Sequence, residues 1–151
     1  MASRISPNVP VSWGELLDKI SILEIKRERI VRADARANVM NEHRLLSEFG
    51  DMALRSDGVA PLYATLKAVN EDLWEIEDAI REQEAAGTFG AEFISLARAV
   101  YHRNDERAAI KRAINEVMGS DLIEEKSYAD MRQVSAPTPA RAGGGGLMAA
   151  R

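Results

Sequence analysis

The segment LYATLKAVNEDLWEIEDAI, residues 62–80, carries the clearest helix signal in this chain of 151 residues. Its apolar residues recur at alternating intervals of four and three, about 3.5 residues on average, which is typical of one face of an α-helix. Pro61 is well suited to the first turn of a helix and Gly87 to its end, so we predict a helix over residues 61–86. The seam consists of Leu62, Leu66, Val69, Leu73, Ile76 and Ile80.

Three further helices are predicted around this one. Ser12 and Glu15 form a Ser-x-x-Glu capping box that opens a first helix, and Gly119 ends the last one. Residues 50–61 contain two glycines and little periodicity, which predicts a loop. The chain is therefore predicted to be all-α, an antiparallel four-helix bundle. The predicted helices cover residues 12–35, 37–49, 61–86 and 91–118.

The predicted bundle is a single domain with an irregular segment at each end. We expect an extended N-terminal segment over residues 1–10 and the helical domain over residues 11–128. Its short C-terminal closing segment is expected to pack back onto the helices through Leu122, Ile123 and Tyr128. Residues 129–151 contain four consecutive glycines and no apolar pattern, which predicts a disordered tail.

Composition excludes several classes of function. The chain has no cysteine, so disulfides and thiolate sites are impossible, and a cytoplasmic location is expected. A net charge of −4 argues against nonspecific binding to nucleic acid, which requires a basic surface. No apolar run approaches the roughly 20 residues of a membrane span, so no membrane insertion is expected.

Polar side chains interrupt the stripes that should face the core, and they form the candidate site. Buried ions must be paired or bound by a ligand, so two interpretations stay open. One is a structural ion network that fixes the register of the helices. The other is a site for an anionic small molecule, such as a phosphate-bearing compound or a sugar nucleotide, because the set holds two acids and three bases. The candidate residues are Glu24, Arg27, Asn70, Glu77, Asn104, Arg107 and Lys111.

A metal site is the second alternative. Glu71-Asp72-x-x-Glu75 resembles half of the magnesium motif of all-helical nucleotide pyrophosphohydrolases. The second half, Glu-x-x-Asp on a later helix, is missing from residues 91–118, and the acids are predicted to project away from the seam. We therefore predict no metal ligands and no cofactor.

The first helix has apolar residues on two sides. Ile22 and Ile25 are predicted to lie opposite the stripe of Leu16, Ile20 and Leu23, which indicates an additional buried surface. A subunit interface explains this pattern, so a homo-oligomer is expected.

The favoured function is a non-catalytic binding or assembly module that forms a homodimer. An enzyme acting on a phosphate-bearing or sugar-nucleotide substrate and a metal-dependent nucleotide hydrolase are the alternatives.

Two motifs carry a resemblance to a known family. VSWGELLDKISILEIK, residues 11–26, and EEKSY, residues 124–128, resemble a family of small bacterial and phage helical proteins that is classed as a domain of unknown function. Further matching stretches lie in residues 73–81 and 96–107, so the resemblance covers nearly all of residues 11–128 and includes Glu24, Glu77, Asn104 and Arg107. It implies a small helical domain that also occurs attached to tetratricopeptide repeats or sugar-transfer proteins, and it implies no particular activity.

Overall fold

A computed structural model describes residues 6–127, which form four α-helices and no strand. The predictions of an all-α fold and of an antiparallel four-helix bundle are confirmed. Residues 1–5, Tyr128 and the predicted tail over residues 129–151 lie outside the described residues. The helices are α1 (Trp13–Arg29), α2 (Ala33–Leu54), α3 (Val59–Ala86) and α4 (Ala91–Met118).

Helix α1 is the central element, because it contacts each of the other three helices. The remaining close packing is between α3 and α4, which form a long hairpin, whereas α2 and α3 make few contacts. The core lies where α1 meets the end of α2, the beginning of α3 and the end of α4. Its buried residues are Leu17, Ile20, Ala53, Val59, Leu66 and Ile114.

The start of α1 agrees with the capping prediction, and its end does not. The Ser12 side chain accepts a hydrogen bond from the backbone N–H of Glu15 at 3.1 Å. The helix ends at Arg29 rather than at residue 35, because Ile30 is already extended and the chain reverses there into α2. The last turn of α1 carries Lys26, Arg27 and Arg29, and cations at this position interact favourably with the helix dipole.

Helix α2 is longer than predicted at both ends, because it begins at Ala33 rather than at residue 37 and continues through Gly50. A Cβ atom at Gly50 would stand 2.5 Å from Cδ1 of Ile20, so the glycine allows α2 to pack closely against α1. The helix continues to Leu54, and α3 begins at Val59, which leaves a much shorter loop than the sequence predicts. The helical spacing of Val39, His43, Leu46 and Phe49 predicts that all four face inward, but Phe49 is 55% exposed.

The α3–α4 hairpin extends beyond the rest of the bundle. Helices α3 and α4 have 28 residues each, about 42 Å, whereas α1 has 17 residues, about 26 Å. At the end of α1, Arg29 pairs with Glu75 and lies over the ring of Trp74. We call residues 76–103, which continue past this point, the hairpin arm.

Among residues 6–127 no helix has the length and apolarity required to cross a membrane.

Candidate functional site

The centre of the candidate site is a buried carboxylate that the sequence analysis did not select. Asp18 lies on α1 and is only 1% exposed. Its carboxylate accepts hydrogen bonds from Nε of Arg107 at 2.9 Å and from Nη2 of Arg107 at 2.5 Å. Nδ2 of Asn70 donates a third at 2.9 Å. One buried acid therefore joins α1 to both helices of the hairpin.

Neighbouring polar groups complete this arrangement. Nδ2 of Asn70 also donates to the hydroxyl of Ser21 at 2.8 Å, and that hydroxyl donates to the backbone carbonyl of Asp18 at 2.7 Å. The hydrogen bonds to Asp18 raise the pKa of Arg107 above its ordinary value, although burial opposes the shift. We call Asp18, Ser21, Asn70 and Arg107 the Asp18 cluster. Its charges and hydrogen bonds satisfy one another without a ligand.

Lys111 lies one turn further along α4 and is 7% exposed. Its ammonium group contacts the carboxylates of Glu15 at 2.7 Å and Glu124 at 2.8 Å, and it lies 4.0 Å from Asp18. Burial lowers the pKa of Lys111, but the hydrogen bonds to Glu124 and Glu15 outweigh this effect and leave the pKa raised. Lys111 is therefore a charged, buried cation with three carboxylates around it.

A glycine allows α1 to come this close to α4. A Cβ atom at Gly14 would lie 2.4 Å from the backbone oxygen of Lys111 and 2.9 Å from Oδ1 of Asn115. The Gly14 N–H donates to that same Oδ1 at 2.6 Å. The glycine in the first turn of α1, which is a weak choice for a helix on propensity alone, is therefore required by the packing.

Two depressions adjoin Arg107. The Lys111 cleft, with a volume of about 210 Å³, is lined almost entirely by polar groups, and the larger Trp74 groove, about 490 Å³, lies between α1 and the hairpin. Residues of the Lys111 cleft are Glu15, Asn104, Arg107, Ala108, Lys111, Glu124 and Lys126. Residues of the Trp74 groove are Ile22, Asn70, Leu73, Trp74, Glu77, Asp78, Arg81, Asn104 and Arg107.

The structure brings together five of the seven candidate residues around these depressions. Asn70, Arg107 and Lys111 belong to the buried polar region, and Oδ1 of Asn104 lies 3.5 Å from Nη1 of Arg107. Glu77 lines the Trp74 groove but is exposed, and its carboxylate is 3.7 Å from Arg81. The faces of α3 and α4 that carry these residues therefore border the two depressions.

The two candidates on α1 lie elsewhere. Glu24 faces α2 and α3, where its carboxylate is 3.3 Å from Lys67 and 3.8 Å from His43. Burial and the charge of Glu24 raise the pKa of Tyr63 well above its ordinary value. Arg27 is exposed in the last turn of α1 and has no ion pair within residues 6–127, because α1 ends before a neighbour can cover it.

The position of Asp18 on α1 could have been recognised from the sequence, because it shares a helical face with two isoleucines. Asp18 precedes Ile22 by four positions and Ile25 by seven, so all three share one helical face. Ile25 is 1% exposed within the chain, and Ile22 is half-buried in the Trp74 groove. The prediction of a subunit interface is therefore wrong for Ile25, because this residue packs within the same chain.

The local charge also differs from the prediction. Arg107 and Lys111 face Asp18, Glu15 and Glu124, which makes two bases and three acids rather than an excess of positive charge. The acids of the pyrophosphohydrolase-like motif pair with basic side chains on the surface, among them Asp72 with Arg103 at 3.1 Å. In the part of the chain that the structure describes, no group of three acidic or histidine side chains has an arrangement that could hold a metal ion, and the three carboxylates around Lys111 bind its ammonium group instead.

Comparison with known proteins identifies the family. A model described as "Family of unknown function (DUF6165)" matches residues 7–149. No curated protein and no solved structure matches this chain. The expectation of an uncharacterised family is confirmed, since the match covers nearly the whole sequence. The chain belongs to DUF6165, a family of unknown function.

Proposed function

We propose that this chain is a non-catalytic assembly module that works as a homodimer in the cytoplasm. The buried ionic groups support a structural role, because Asp18 and Lys111 are already paired with groups of the same chain. Several registers of packed helices can bury similar amounts of apolar surface, and a buried ion network of this kind can select one of them. In this proposal it holds α1 against the hairpin, and the hairpin presents the interacting surface.

The observation that carries the proposal is the incomplete burial of the hairpin arm. No residue from Trp74 to Ile110 is fully buried, although the helical seam of α3 continues through Ile76 and Ile80. Two helices can cover each other from one side only, so the rest of their apolar surface stays exposed unless another element packs on it. Exposed apolar side chains on the arm are Phe89 (57%), Ile94 (56%) and Tyr101 (58%).

A second copy of the same arm fits this surface. The α3 part of the arm, residues 76–86, contains four acids and one base, whereas the α4 part, residues 91–103, contains two bases and one acid. When two hairpins pair about a two-fold axis, α3 of each copy can lie beside α4 of the other. The opposite charges then face each other around an apolar centre, and the two arms together form a four-helix unit.

Sedimentation equilibrium of the full chain tests this function. We expect the mass of a dimer at micromolar concentration, with a dissociation constant that changes little when the salt concentration rises, because the interface is mainly apolar. A monomer over the whole range of accessible concentrations would contradict the proposal.

A further inference from the structure

The C-terminal segment over residues 121–127 is held to the helices by charge rather than by apolar burial. It has no regular secondary structure, and every residue in it is exposed. Leu122 and Ile123, which the sequence predicts to pack inward, are 45% and 46% exposed. The attachments are instead the ion pairs of Glu124 with Lys111 at 2.8 Å and of Glu125 with Arg112 at 3.0 Å. The pair of Glu125 with exposed Arg112 is of the weak surface type, so the contact of Glu124 with Lys111 is the main attachment of the segment.

Glu124 occupies a position that suits an anion. Its carboxylate lies at the mouth of the Lys111 cleft, where the buried ammonium group of Lys111 already has a fixed partner in Glu15. The interaction with Lys111 lowers the pKa of Glu124, so the carboxylate is charged in this position at neutral pH. Asn104 and Arg107 line the same cleft with further polar groups.

Glu124 is the one acid beside Lys111 that does not come from a helix. Arg107 and Lys111 face Asp18 and Glu15, so these four helical residues hold two bases and two acids. Glu124 adds a further acid from a segment without regular secondary structure. An anion that takes the place of the Glu124 carboxylate therefore exchanges one negative group for another beside Lys111.

We propose that the Lys111 cleft binds a small anion through a phosphate or carboxylate group, and that Glu124 is the internal competitor that such an anion displaces. The ligand group takes the position of the Glu124 carboxylate beside Lys111, and residues 121–127 move away from α4. This function is separate from assembly through the hairpin arm, because the cleft and the arm occupy different parts of α4.

Phosphate binding by wild type and two matched variants tests the proposal. Glu124→Gln removes the competing charge, and Glu125→Gln removes the neighbouring charge that pairs with exposed Arg112. Inorganic phosphate is titrated at constant ionic strength, with chloride as the replaced anion, and binding is followed by amide chemical shifts of residues 107–112. We expect Glu124→Gln to bind phosphate at least tenfold more tightly than wild type, and Glu125→Gln to match wild type.

A second measurement follows the displaced segment directly. Phosphate should accelerate tryptic cleavage after Lys126 in the wild type, whereas chloride at the same ionic strength should not. Equal phosphate affinity in wild type and Glu124→Gln would overturn the proposal, as would the absence of any phosphate-specific shift in the Glu124→Gln variant. An equal gain in both glutamine variants would also overturn it, because it would show a general charge effect.

Discussion

The guanidinium group of Arg107 forms two hydrogen bonds with the buried carboxylate of Asp18, and this contact joins two residues that are 89 positions apart in sequence. Asn70 binds the same carboxylate from the other helix of the hairpin. Each helix therefore has a fixed position along the axes of the other two. A slide of α1 by one turn would leave Asp18 buried without its partners, which makes alternative registers costly.

Replacement of Arg107 by methionine should destabilise the protein. Asp18 would remain buried and would keep only Asn70 and the more distant Lys111, so we expect a loss of about 3 kcal/mol in the free energy of unfolding. The matched control is Arg32→Met, which removes an exposed arginine paired with Asp34 and should cost less than about 1 kcal/mol. Urea denaturation of the three proteins measures both values.

A paired replacement distinguishes the cost of a stranded acid from a general packing defect. Asp18→Leu combined with Arg107→Met removes both charges and should recover part of the lost stability, because an apolar pair can replace a buried ion pair. A double variant that is less stable than Arg107→Met alone would contradict this explanation.

Alanine at Gly14 should be destabilising even though alanine favours helices. The added methyl group would contact the backbone oxygen of Lys111, which cannot move without displacing α4, and we expect a cost of about 1–3 kcal/mol. Gly90→Ala is the control, since a Cβ atom there meets no atom within 4 Å. Thermal unfolding should show a lower Tm for the first variant and little change for the second; equal Tm values would mean that the contact at Gly14 is not tight.

Charges on the hairpin arm should dissociate the proposed dimer. Ile94→Glu combined with Tyr101→Glu places two acids on the surface that pairs with the second copy, so we expect Kd to rise roughly 100-fold, equivalent to about 2.8 kcal/mol. Leu45→Glu is the control, because Leu45 is similarly exposed at 52% but lies on α2. Sedimentation should detect a monomer only for the arm variant, and dissociation by Leu45→Glu alone would place the interface elsewhere.

The contribution of Glu124 to stability should depend on pH. Its pKa in the folded protein lies below the ordinary value of about 4.5, chiefly because of the hydrogen bond from Lys111. A carboxyl group with a lowered pKa stabilises the folded state fully above its unfolded pKa, and this contribution disappears as the pH falls through the folded pKa. Wild type should therefore be more stable than Glu124→Gln at pH 7, and the difference should disappear as the pH falls through the lowered pKa of Glu124. A difference independent of pH would exclude the ion pair as its cause.

Helix periodicity predicted the elements of this fold with good accuracy. The bounds of α4 agree with the prediction, and α3 begins only two residues earlier, because its apolar seam and its terminal glycine are local signals. The prediction of α2 was less accurate. Local propensity marks Gly50 as a residue that ends a helix, whereas in the structure it lies inside α2 and allows close packing against α1. A glycine inside a helix can have either role, and the neighbouring helix determines which one applies.

The polar residues on the hairpin were also recognisable in the sequence, because Asn70, Arg107 and Lys111 interrupt apolar stripes whose direction the periodicity defines. The partners of these residues could not be recognised in the sequence. Asp18 lies on the second buried side of α1, and periodicity shows that such a side exists without showing whether another helix or another subunit covers it. Arg27 shares the angular position of the core stripe, but α1 ends before anything can bury it. Local spacing therefore determined which way each side chain points on its own helix, whereas only the packing of the four helices decided which charges meet, because ion pairs depend on distances between segments that are far apart in the chain.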